Sequence, residues 1–290
     1  MSTTVIIGIF DGVHRGHQEL LALAKESGHV TALTFDPHPT SVFAPERTPS
    51  QIVSLTDRIA LLKKHGAEEV VVIPFTQEFA ALSPAEFISQ ILVGKLHATH
   101  VIVGENFTFG HKAAGTAQTL KDARAGFVTT IVKLEENRGV PVSSTRIRHL
   151  INDGDIERAA ELLTRSHYLV GPVVHGEKRG REIGYPTANI GLSPLATIPA
   201  DGIYAGWLTV EGVRWPAAIS IGTNPTFPGV RGRQVEAYAL DQTDLELYDK
   251  IATVEFVTRL RDTLKFDGLD PLLVQMKKDC DQAREVLQGA

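Results

Sequence analysis

The sequence predicts an α/β domain in its first half and a small antiparallel β domain in its second half. Up to about residue 167, short β-branched apolar segments alternate with segments of helical periodicity, which is typical of β-α-β units and a parallel sheet. After Tyr168 the apolar segments are separated by Gly, Pro and Asn, which favours a barrel or sandwich. A chain of 290 residues is long enough for two such domains. We therefore expect domains at 1–167 and 168–290.

The elements of the first half follow from short apolar runs and from apolar residues recurring every three or four positions. Ser83 is a predicted N-cap, because it precedes a proline that suits the first position of a helix. The predicted strands are 3–10, 30–35, 70–73, 101–103 and 127–132, and the predicted helices are 17–25, 59–65, 84–92, 144–150 and 155–163.

The second half is predicted to contain short strands that include 169–174, 203–210, 215–221 and 235–240. A terminal helix is expected to begin near Asp270. Its apolar residues share one face, and Cys280 lies among them, so we expect a buried and unreactive thiol. That face comprises Leu272, Leu273, Met276, Cys280, Ala283 and Leu287.

Composition restricts the class of protein and its partners. With 43% hydrophobic and 22% charged residues, the chain is of ordinary globular type, and its single cysteine excludes an internal disulfide. A net charge of −5 disfavours a polynucleotide partner. The sequence shows neither a signal peptide nor an apolar run long enough to span a bilayer. We expect a cytoplasmic protein that binds neither nucleic acid nor membrane, and its oligomeric state is left open.

The first candidate site is the segment 8–17, which joins the first strand to the first helix. Ligands bind at the carboxyl ends of parallel strands, and a helix N-terminus suits phosphate. Gly12 and Gly16 permit close approach of a ligand, and His14 and His17 are spaced to face the same phosphate. Imidazolium groups stabilise the charge of a phosphoryl group during transfer. A lone histidine would more often be structural, and a metal site lacks a third ligand nearby.

The second candidate site lies in the predicted β domain. The basic, glycine-rich segment 171–181 is either a loop that closes over phosphates or a solvated hairpin loop. Thr187 and Asn189 stand two apart on an extended segment, so their side chains point the same way. Together they offer oxygen ligands for Mg²⁺ and a contact for a phosphate oxygen.

Several motifs of the first half resemble one family in order and spacing. The HxGH segment is formed by residues 14–17. The chain resembles the adenylyltransferase half of bacterial bifunctional riboflavin kinase/FMN adenylyltransferases in this segment and in TFDPHP at 34–39, VGENFTFG at 103–110 and SSTRIR at 143–148. The resemblance implies a Rossmann-like nucleotidyltransferase domain in which His14 and His17 are catalytic. It implies flavin binding by Asn106, and ATP phosphate binding by Gly8, Phe10, Asp11, Gly12, His14, Gly16, His17, Ser144, Thr145 and Arg148.

Taken singly, these residues have plainer interpretations. Asn106 would more often be a turn residue, and Ser144 and Thr145 would more often be helix caps. His38, between two prolines, fits turn packing and a pocket role equally well. Arg148 has independent support, because a permanent planar cation at a helix start suits phosphate recognition.

The second half resembles riboflavin kinase, whose fold is a six-stranded antiparallel barrel. The resemblance rests on 171–190 and on GIYAGW at 202–207, GTNPTF at 222–227 and VEAYALD at 235–241. It implies that Thr187 and Asn189 bind the magnesium nucleotide and that Glu236 is the general base on the riboflavin hydroxyl. Without the motif, Glu236 would more often be an exposed strand residue. The kinase residues predicted to bind ATP phosphates are Gly176, Lys178, Gly180, Arg181, Thr187 and Asn189.

The expected function is synthesis of FAD in two steps. The second domain converts riboflavin and ATP to FMN and ADP, and the first converts FMN and ATP to FAD and pyrophosphate, with Mg²⁺ as the cofactor. Two departures from the family pattern are the junction at 162–168 and the weakly basic loop at 111–115. The alternatives are a protein that retains one of the two activities, or a non-catalytic flavin or nucleotide binder.

Overall fold

A computed structural model describes residues 2–176, 183–223, 233–243 and 245–289. The chain divides into two compact units, residues 1–144 and 145–290. The predicted domain boundary at 167 therefore falls within the second unit, and it stays a prediction. Within the described ranges, no helix combines the length and the apolar character needed to cross a membrane.

The first unit is built on a five-stranded parallel sheet, as the sequence predicts. Its central strand is buried, with Val5 opposite both Thr31 and Val101. Strands that are covered on both faces have continuous apolar, β-branched sequences, and this pattern is why they could be predicted from the sequence. In the order β3-β2-β1-β4-β7, the strands are β1 (Thr3–Ile7), β2 (His29–Asp36), β3 (Glu69–Pro74), β4 (His100–Gly104) and β7 (Val128–Val132).

The strand order reverses beside β1, because the chain moves to β2 and β3 on one side and later returns to β4 on the other. The loops that follow β1 and β4 therefore diverge and leave a crevice at the carboxyl edge of the sheet. Small hairpins pair β5 (Thr108–Phe109) with β6 (Gly115–Thr116) and β8 (Glu136–Asn137) with β9 (Val140–Pro141).

Helices cover the sheet, and they are α1 (Arg15–Lys25), α2 (Pro39–Phe43), α3 (Leu55–Lys64), α4 (Gln77–Ala80), α5 (Pro84–Glu86) and α6 (Ala117–Asp122). Ser83 caps α5 as predicted, since its hydroxyl accepts a hydrogen bond from the Glu86 amide. The predicted helix over 84–92 is confirmed and extends to Lys95, although a π-helix (Phe87–Lys95) follows α5 directly. Its wider turn places the side chains of Phe87, Ile88 and Leu92 in the core together.

The second unit contains a closed six-stranded barrel in the order β10-β11-β14-β13-β12-β15, which confirms the predicted architecture. The sequence predicted an extended segment around Asn189, where β11 lies, but it did not predict β15. Strand β15 pairs with both β10 and β12 and so closes the barrel. The strands are β10 (His167–Val174), β11 (Ala188–Ile190), β12 (Gly202–Val210), β13 (Val213–Thr223), β14 (Arg233–Ala239) and β15 (Ile251–Arg261).

Three helices complete the second unit: α7 (Ser144–Asp153), whose first residue belongs to the first unit, α8 (Ile156–Leu163) and α9 (Leu269–Gln288). The helix α9 packs on the barrel through Cys280 and Ala283, and Asp279 forms a buried ion pair with Arg261 of β15. Burial raises the pKa of the Cys280 thiol to about 11. The cysteine is therefore a buried thiol that stays protonated, as its place on the apolar face predicts.

Candidate active sites

The turn after β1 carries the first set of predicted site residues. The strand ends at Ile7, and not at residue 10 as predicted, because Phe10 adopts a left-handed conformation with a φ of 54°. Gly12 follows with a φ of 80°, which glycine adopts without strain. The chain then enters α1 with His14 at the N-cap. These bends place the HxGH motif at the carboxyl edge of the sheet, next to the crevice.

The two predicted catalytic histidines lie side by side. The rings of His14 and His17 stack with centroids 3.6 Å apart, and the ring of Phe10 packs edge-on against His17 at 5.1 Å. Burial, followed by the charge of His14, lowers the pKa of His17 well below its usual value. His17 is therefore neutral without a ligand, and a bound triphosphate would favour its protonated form. Contact of these rings with ATP stays a prediction.

Asp11 has a structural role within this turn. Its buried carboxylate accepts hydrogen bonds from the backbone amides of Ile52 (3.0 Å) and Val53 (3.3 Å). Its carbonyl oxygen accepts a hydrogen bond of 2.9 Å from the Ser144 hydroxyl. The structure thus brings Ser144 to the HxGH turn, as the motifs predict. It directs the Asp11 carboxylate to the segment at 52–53, and binding of phosphate by Asp11 stays a prediction.

Two glycines of the motif differ in what surrounds them. A Cβ on Gly8 would lie 3.0 Å from the Phe10 ring, so this glycine makes room for that ring. A Cβ on Gly16 would lie 3.5 Å from His14 and 3.6 Å from Glu135, which is ordinary contact. The structure therefore explains Gly8 by packing, whereas close approach of a ligand to Gly16 stays a prediction.

Asn106 lies on the other side of the crevice, in the turn after β4. It is exposed, and its side-chain oxygen lies over Gly104. The HxGH turn and Asn106 therefore flank the point where the strand order reverses, which is where ligands bind in sheets of this type. Thr145 and Arg148 lie on α7 in the second unit, and their predicted contact with the triphosphate is untested.

His38 is explained by turn packing. Its Nδ1 atom accepts a hydrogen bond of 3.2 Å from the Thr40 amide, which caps the short helix α2.

Sequence reasoning missed one residue near this site, Arg58 of α3. It is 5% exposed, and its guanidinium donates hydrogen bonds to the carbonyl oxygens of Ile9 (2.8 Å) and Phe35 (3.3 Å). The available signal was its position on the buried face of α3, three and four residues before Leu61 and Leu62. An arginine at such a position predicts a buried hydrogen-bond network.

The second set of site residues converges on the barrel. The Thr187 hydroxyl donates a hydrogen bond of 3.0 Å to Oε2 of Glu236, and Asn189 lies opposite Glu236 in the β11–β14 register. A pocket at this end of the barrel is lined by Thr187 and Asn189 together with small and apolar residues. These include Val173, Ala188, Leu208, Ala237 and Ala239. The structure therefore unites the three residues that the motifs predicted.

Gly176 closes one side of this pocket, where a Cβ would lie 2.4 Å from the side-chain nitrogen of Asn189. The lack of a side chain at this position lets the backbone approach Asn189. The other predicted phosphate-binding residues, Lys178, Gly180 and Arg181, lie outside the described residues.

The oxygen donors at the barrel pocket fit a magnesium nucleotide. Because the Thr187 hydroxyl donates a hydrogen bond to Glu236, the lone pairs of its oxygen stay available for a cation. Asn189 adds an amide oxygen, which is a hard ligand of the kind that Mg²⁺ prefers. In the parts of the chain that the structure describes, no cluster of three or more His, Cys, Asp or Glu side chains could hold a metal ion.

Comparison with known proteins assigns a family to each half of the chain. Residues 1–146 match the FAD synthetase family, and residues 163–287 match the riboflavin kinase family. The chain is 36% identical to the bifunctional riboflavin kinase/FMN adenylyltransferase of Bacillus subtilis, over 97% of this chain and 91% of that protein. The protein of the same name from Escherichia coli K12 is 35% identical, over 96% of this chain and 91% of that protein.

The chain belongs to the bifunctional riboflavin kinase/FMN adenylyltransferase family. Family membership confirms the resemblance indicated by the HxGH segment and by the segment that contains Thr187 and Asn189. A solved structure from Streptococcus pneumoniae, described as a macrolide-efflux protein, has the same fold with a TM-score of 0.89 and 34% identity. That likeness covers 98% of this chain and 94% of the other.

Proposed function

We propose that this chain makes FAD from riboflavin in two ATP-dependent steps, one in each domain. Residues 168–290 phosphorylate riboflavin to FMN, and residues 1–167 transfer AMP to FMN. The observation that carries the proposal is the presence of two separate sets of converging side chains. These are His14 with His17 in the first unit, and Thr187 with Asn189 and Glu236 in the second.

In the kinase step, Glu236 is the general base. Its Oε2 atom accepts a hydrogen bond from the Thr187 hydroxyl, which leaves Oε1 to accept the proton of the riboflavin 5′-hydroxyl. The hydroxyl oxygen attacks the γ-phosphorus of ATP, the bond to the β-phosphate oxygen breaks, and ADP leaves. The hydrogen bond from Thr187 fixes the rotamer of Glu236, so that the base is held before the substrate binds.

Thr187 and Asn189 would hold Mg²⁺ through their side-chain oxygens, together with the nucleotide phosphates. When bound, the ion neutralises charge on the phosphate oxygens. Because both protein ligands are uncharged, the affinity of the site depends on the phosphates that the nucleotide supplies.

In the adenylyl transfer step, a phosphate oxygen of FMN attacks the α-phosphorus of ATP and pyrophosphate leaves. His14 and His17 stabilise the charge on the transferred group and the leaving phosphates. His17 starts neutral and becomes a better partner of the triphosphate as it gains a proton. Ser144, Thr145 and Arg148 bind the phosphates, and Asn106 binds the flavin. The residues of the site require no covalent enzyme intermediate.

The substrates of this proposal are small molecules, which suits the acidic net charge of −5. We place the enzyme in the cytoplasm, where ATP is abundant, and its single cysteine suits a reducing compartment.

The test is turnover by the full chain. The protein is incubated with riboflavin and MgATP, and the flavins are separated by chromatography. We expect FMN and then FAD, with release of ADP and pyrophosphate in matching amounts. Supplying FMN in place of riboflavin isolates the second step. FMN without FAD would restrict the function to the kinase, and the absence of both products would favour a non-catalytic flavin or nucleotide binder.

A further inference from the structure

We infer that the segment 52–58 positions the histidine turn for adenylyl transfer and that Arg58 is its positioning residue. The inference rests on the proposed function of the first domain, and it concerns a helix outside every motif that the sequence resemblance identified. Arg58 does not belong to the set of residues proposed to touch ATP or FMN. It acts through the backbone of the turn that carries His14 and His17.

The segment holds the turn at two points on either side of Phe10. Before Phe10, the Ile9 carbonyl oxygen accepts hydrogen bonds from Arg58 Nη1 (2.8 Å) and from the Thr34 hydroxyl (3.1 Å). After Phe10, the Asp11 carboxylate accepts the backbone amide of Ile52, at 3.0 and 3.1 Å from its two oxygens. The residue between these two anchors is therefore fixed from both directions.

Phe10 transmits this constraint to the catalytic pair. It is 1% exposed and adopts the left-handed conformation that reverses the chain into the HxGH motif. Its ring packs edge-on against His17 at 5.1 Å, and His17 stacks on His14 at 3.6 Å. A change in the Ile9 carbonyl position would rotate Phe10 and displace both imidazole rings.

The two anchoring groups, the amide of Ile52 and the guanidinium of Arg58, belong to one short segment at the start of α3. Ser54 lies between them and caps α3, since its hydroxyl accepts a hydrogen bond of 3.1 Å from the Asp57 amide. Arg58 follows one turn later, and its amide donates to the Ser54 carbonyl oxygen at 2.8 Å. The start of α3 thus fixes the spacing between the amide of Ile52 and the guanidinium of Arg58.

The chemistry of Arg58 suits positioning. A planar guanidinium reaches two carbonyl oxygens at once, those of Ile9 after β1 and Phe35 in β2, whereas an ammonium group is a single point donor. Asp36 lies 3.7 Å from Nη2, so the buried cation has a carboxylate nearby. Burial of a charged group is costly. Here the buried guanidinium presents its five N–H donors to the ends of β1 and β2, beside the turn that carries the histidines.

The experiment compares Arg58→Gln and Arg58→Lys with a control, Lys63→Gln, which removes an exposed cation from the same helix. For each full-length variant, FMN adenylylation is measured as kcat and as KM for ATP between about pH 5 and 9. Riboflavin phosphorylation in the same preparation reports on the second unit. Thermal unfolding shows whether each variant is folded.

We expect Arg58→Gln to lower kcat for adenylylation about 10–100-fold, since small displacements of reacting groups have effects of this size. We also expect a higher KM for ATP and a displaced pH profile, because the histidines change their environment. Arg58→Lys should recover part of the rate, while Lys63→Gln and all phosphorylation rates should stay within about twofold of wild type.

Three results would overturn the inference. One is an Arg58→Gln variant that matches wild type in every readout. Another is a rate that falls equally at all pH values with KM unchanged, which indicates only a smaller folded fraction. The third is that neither Arg58 variant folds, which would make Arg58 a folding residue. A wild-type chain that makes no FAD from supplied FMN would instead defeat the proposed function itself.

Discussion

The two candidate sites of this chain are built by different means. In the first unit, the turn after β1 is held by side chains that reach its backbone from distant segments, as Arg58 does at Ile9 and Ser144 at Asp11. In the second unit, Asn189 and Glu236 face each other because β11 and β14 pair in one register. Thr187 joins them through its hydrogen bond to Glu236.

This difference predicts how each site responds to change. A site held by strand register depends on the residues that face the substrate, since the barrel fixes their backbone. A site held by side-chain-to-backbone hydrogen bonds depends also on residues that never meet the substrate. Substitutions at Glu236, His14 and Thr187 each test one side of this comparison, and the other activity of the same chain provides the internal control.

Glu236→Gln should remove the general base of the kinase step while keeping the shape of the side chain. A general base contributes about 10²–10⁴-fold, so riboflavin phosphorylation should fall by that factor. FAD formation from supplied FMN should continue at the wild-type rate, as measured by chromatography of the flavins. Normal phosphorylation by this variant would contradict the assignment of Glu236.

His14→Ala should have the opposite effect. Loss of one group that stabilises transferred charge lowers a rate by about 10²–10³-fold, so FAD formation should nearly stop. FMN formation from riboflavin should persist, because the residues proposed for the kinase step, Thr187 and Asn189, line a separate pocket in the barrel. Equal loss of both activities would argue against two separable sites.

Two fragments sharpen the domain boundary. We expect 168–290 to fold and keep some kinase activity, and we expect 145–290 to be more stable by about 3–6 kcal/mol. The longer fragment keeps α8, whose Leu162 and Leu163 are buried, and each buried leucine contributes about 1.5–3 kcal/mol. Denaturant unfolding of both fragments gives the difference. If the fragment 168–290 is inactive or insoluble, the domain boundary lies before α7 and not at residue 167.

The stability of the second unit should fall at low pH because of His167. Burial lowers the pKa of this histidine to about 4, and its Nε2 atom lies 2.9 Å from the Thr197 carbonyl oxygen. The histidine of the unfolded chain takes up a proton near pH 6.5, whereas that of the folded chain does not. The contribution of neutral His167 to the free energy of unfolding is therefore complete above about pH 6.5 and is lost between pH 6.5 and 4. The loss amounts to about 3 kcal/mol at most.

The measurement is the free energy of unfolding of the fragment 145–290 at several pH values. His167→Gln removes the titrating group, so its pH dependence between about 4 and 6.5 should be weaker than that of the wild type. An identical pH dependence in the two proteins would show that another group is responsible.

The smallest effect is expected from Thr187→Val, which keeps the shape of the side chain and removes its hydroxyl. Loss of the hydrogen bond to Glu236, worth about 1–2 kcal/mol, together with loss of one proposed oxygen ligand of Mg²⁺, should lower the phosphorylation rate at least tenfold. Thr187→Ser should restore most of it, and FAD formation from FMN should not change. A Val variant with full kinase activity would mean that strand register alone positions the base.

Much of the fold could be predicted because its strands carry a local signal. Three of the parallel strands, β1, β2 and β4, are continuous apolar runs buried on both faces, and they were located on that basis. Strand β15 was missed, although Ala252, Val254 and Phe256 alternate with half-buried residues. Its alternation includes charged outward residues, and its role in closing the barrel depends on partners distant in sequence.

The sequence by itself determined the family, the order of the parallel sheet and the barrel, and the candidate residues of each site. Those features reside in short motifs, because residues such as His14 and His17 need only a helical turn to come together. Only the tertiary structure decided that Asp11 holds the segment at 52–53, and that Arg58 reaches the backbone before Phe10. Hydrogen bonds to main-chain atoms leave no motif of their own, since every residue offers the same carbonyl and amide.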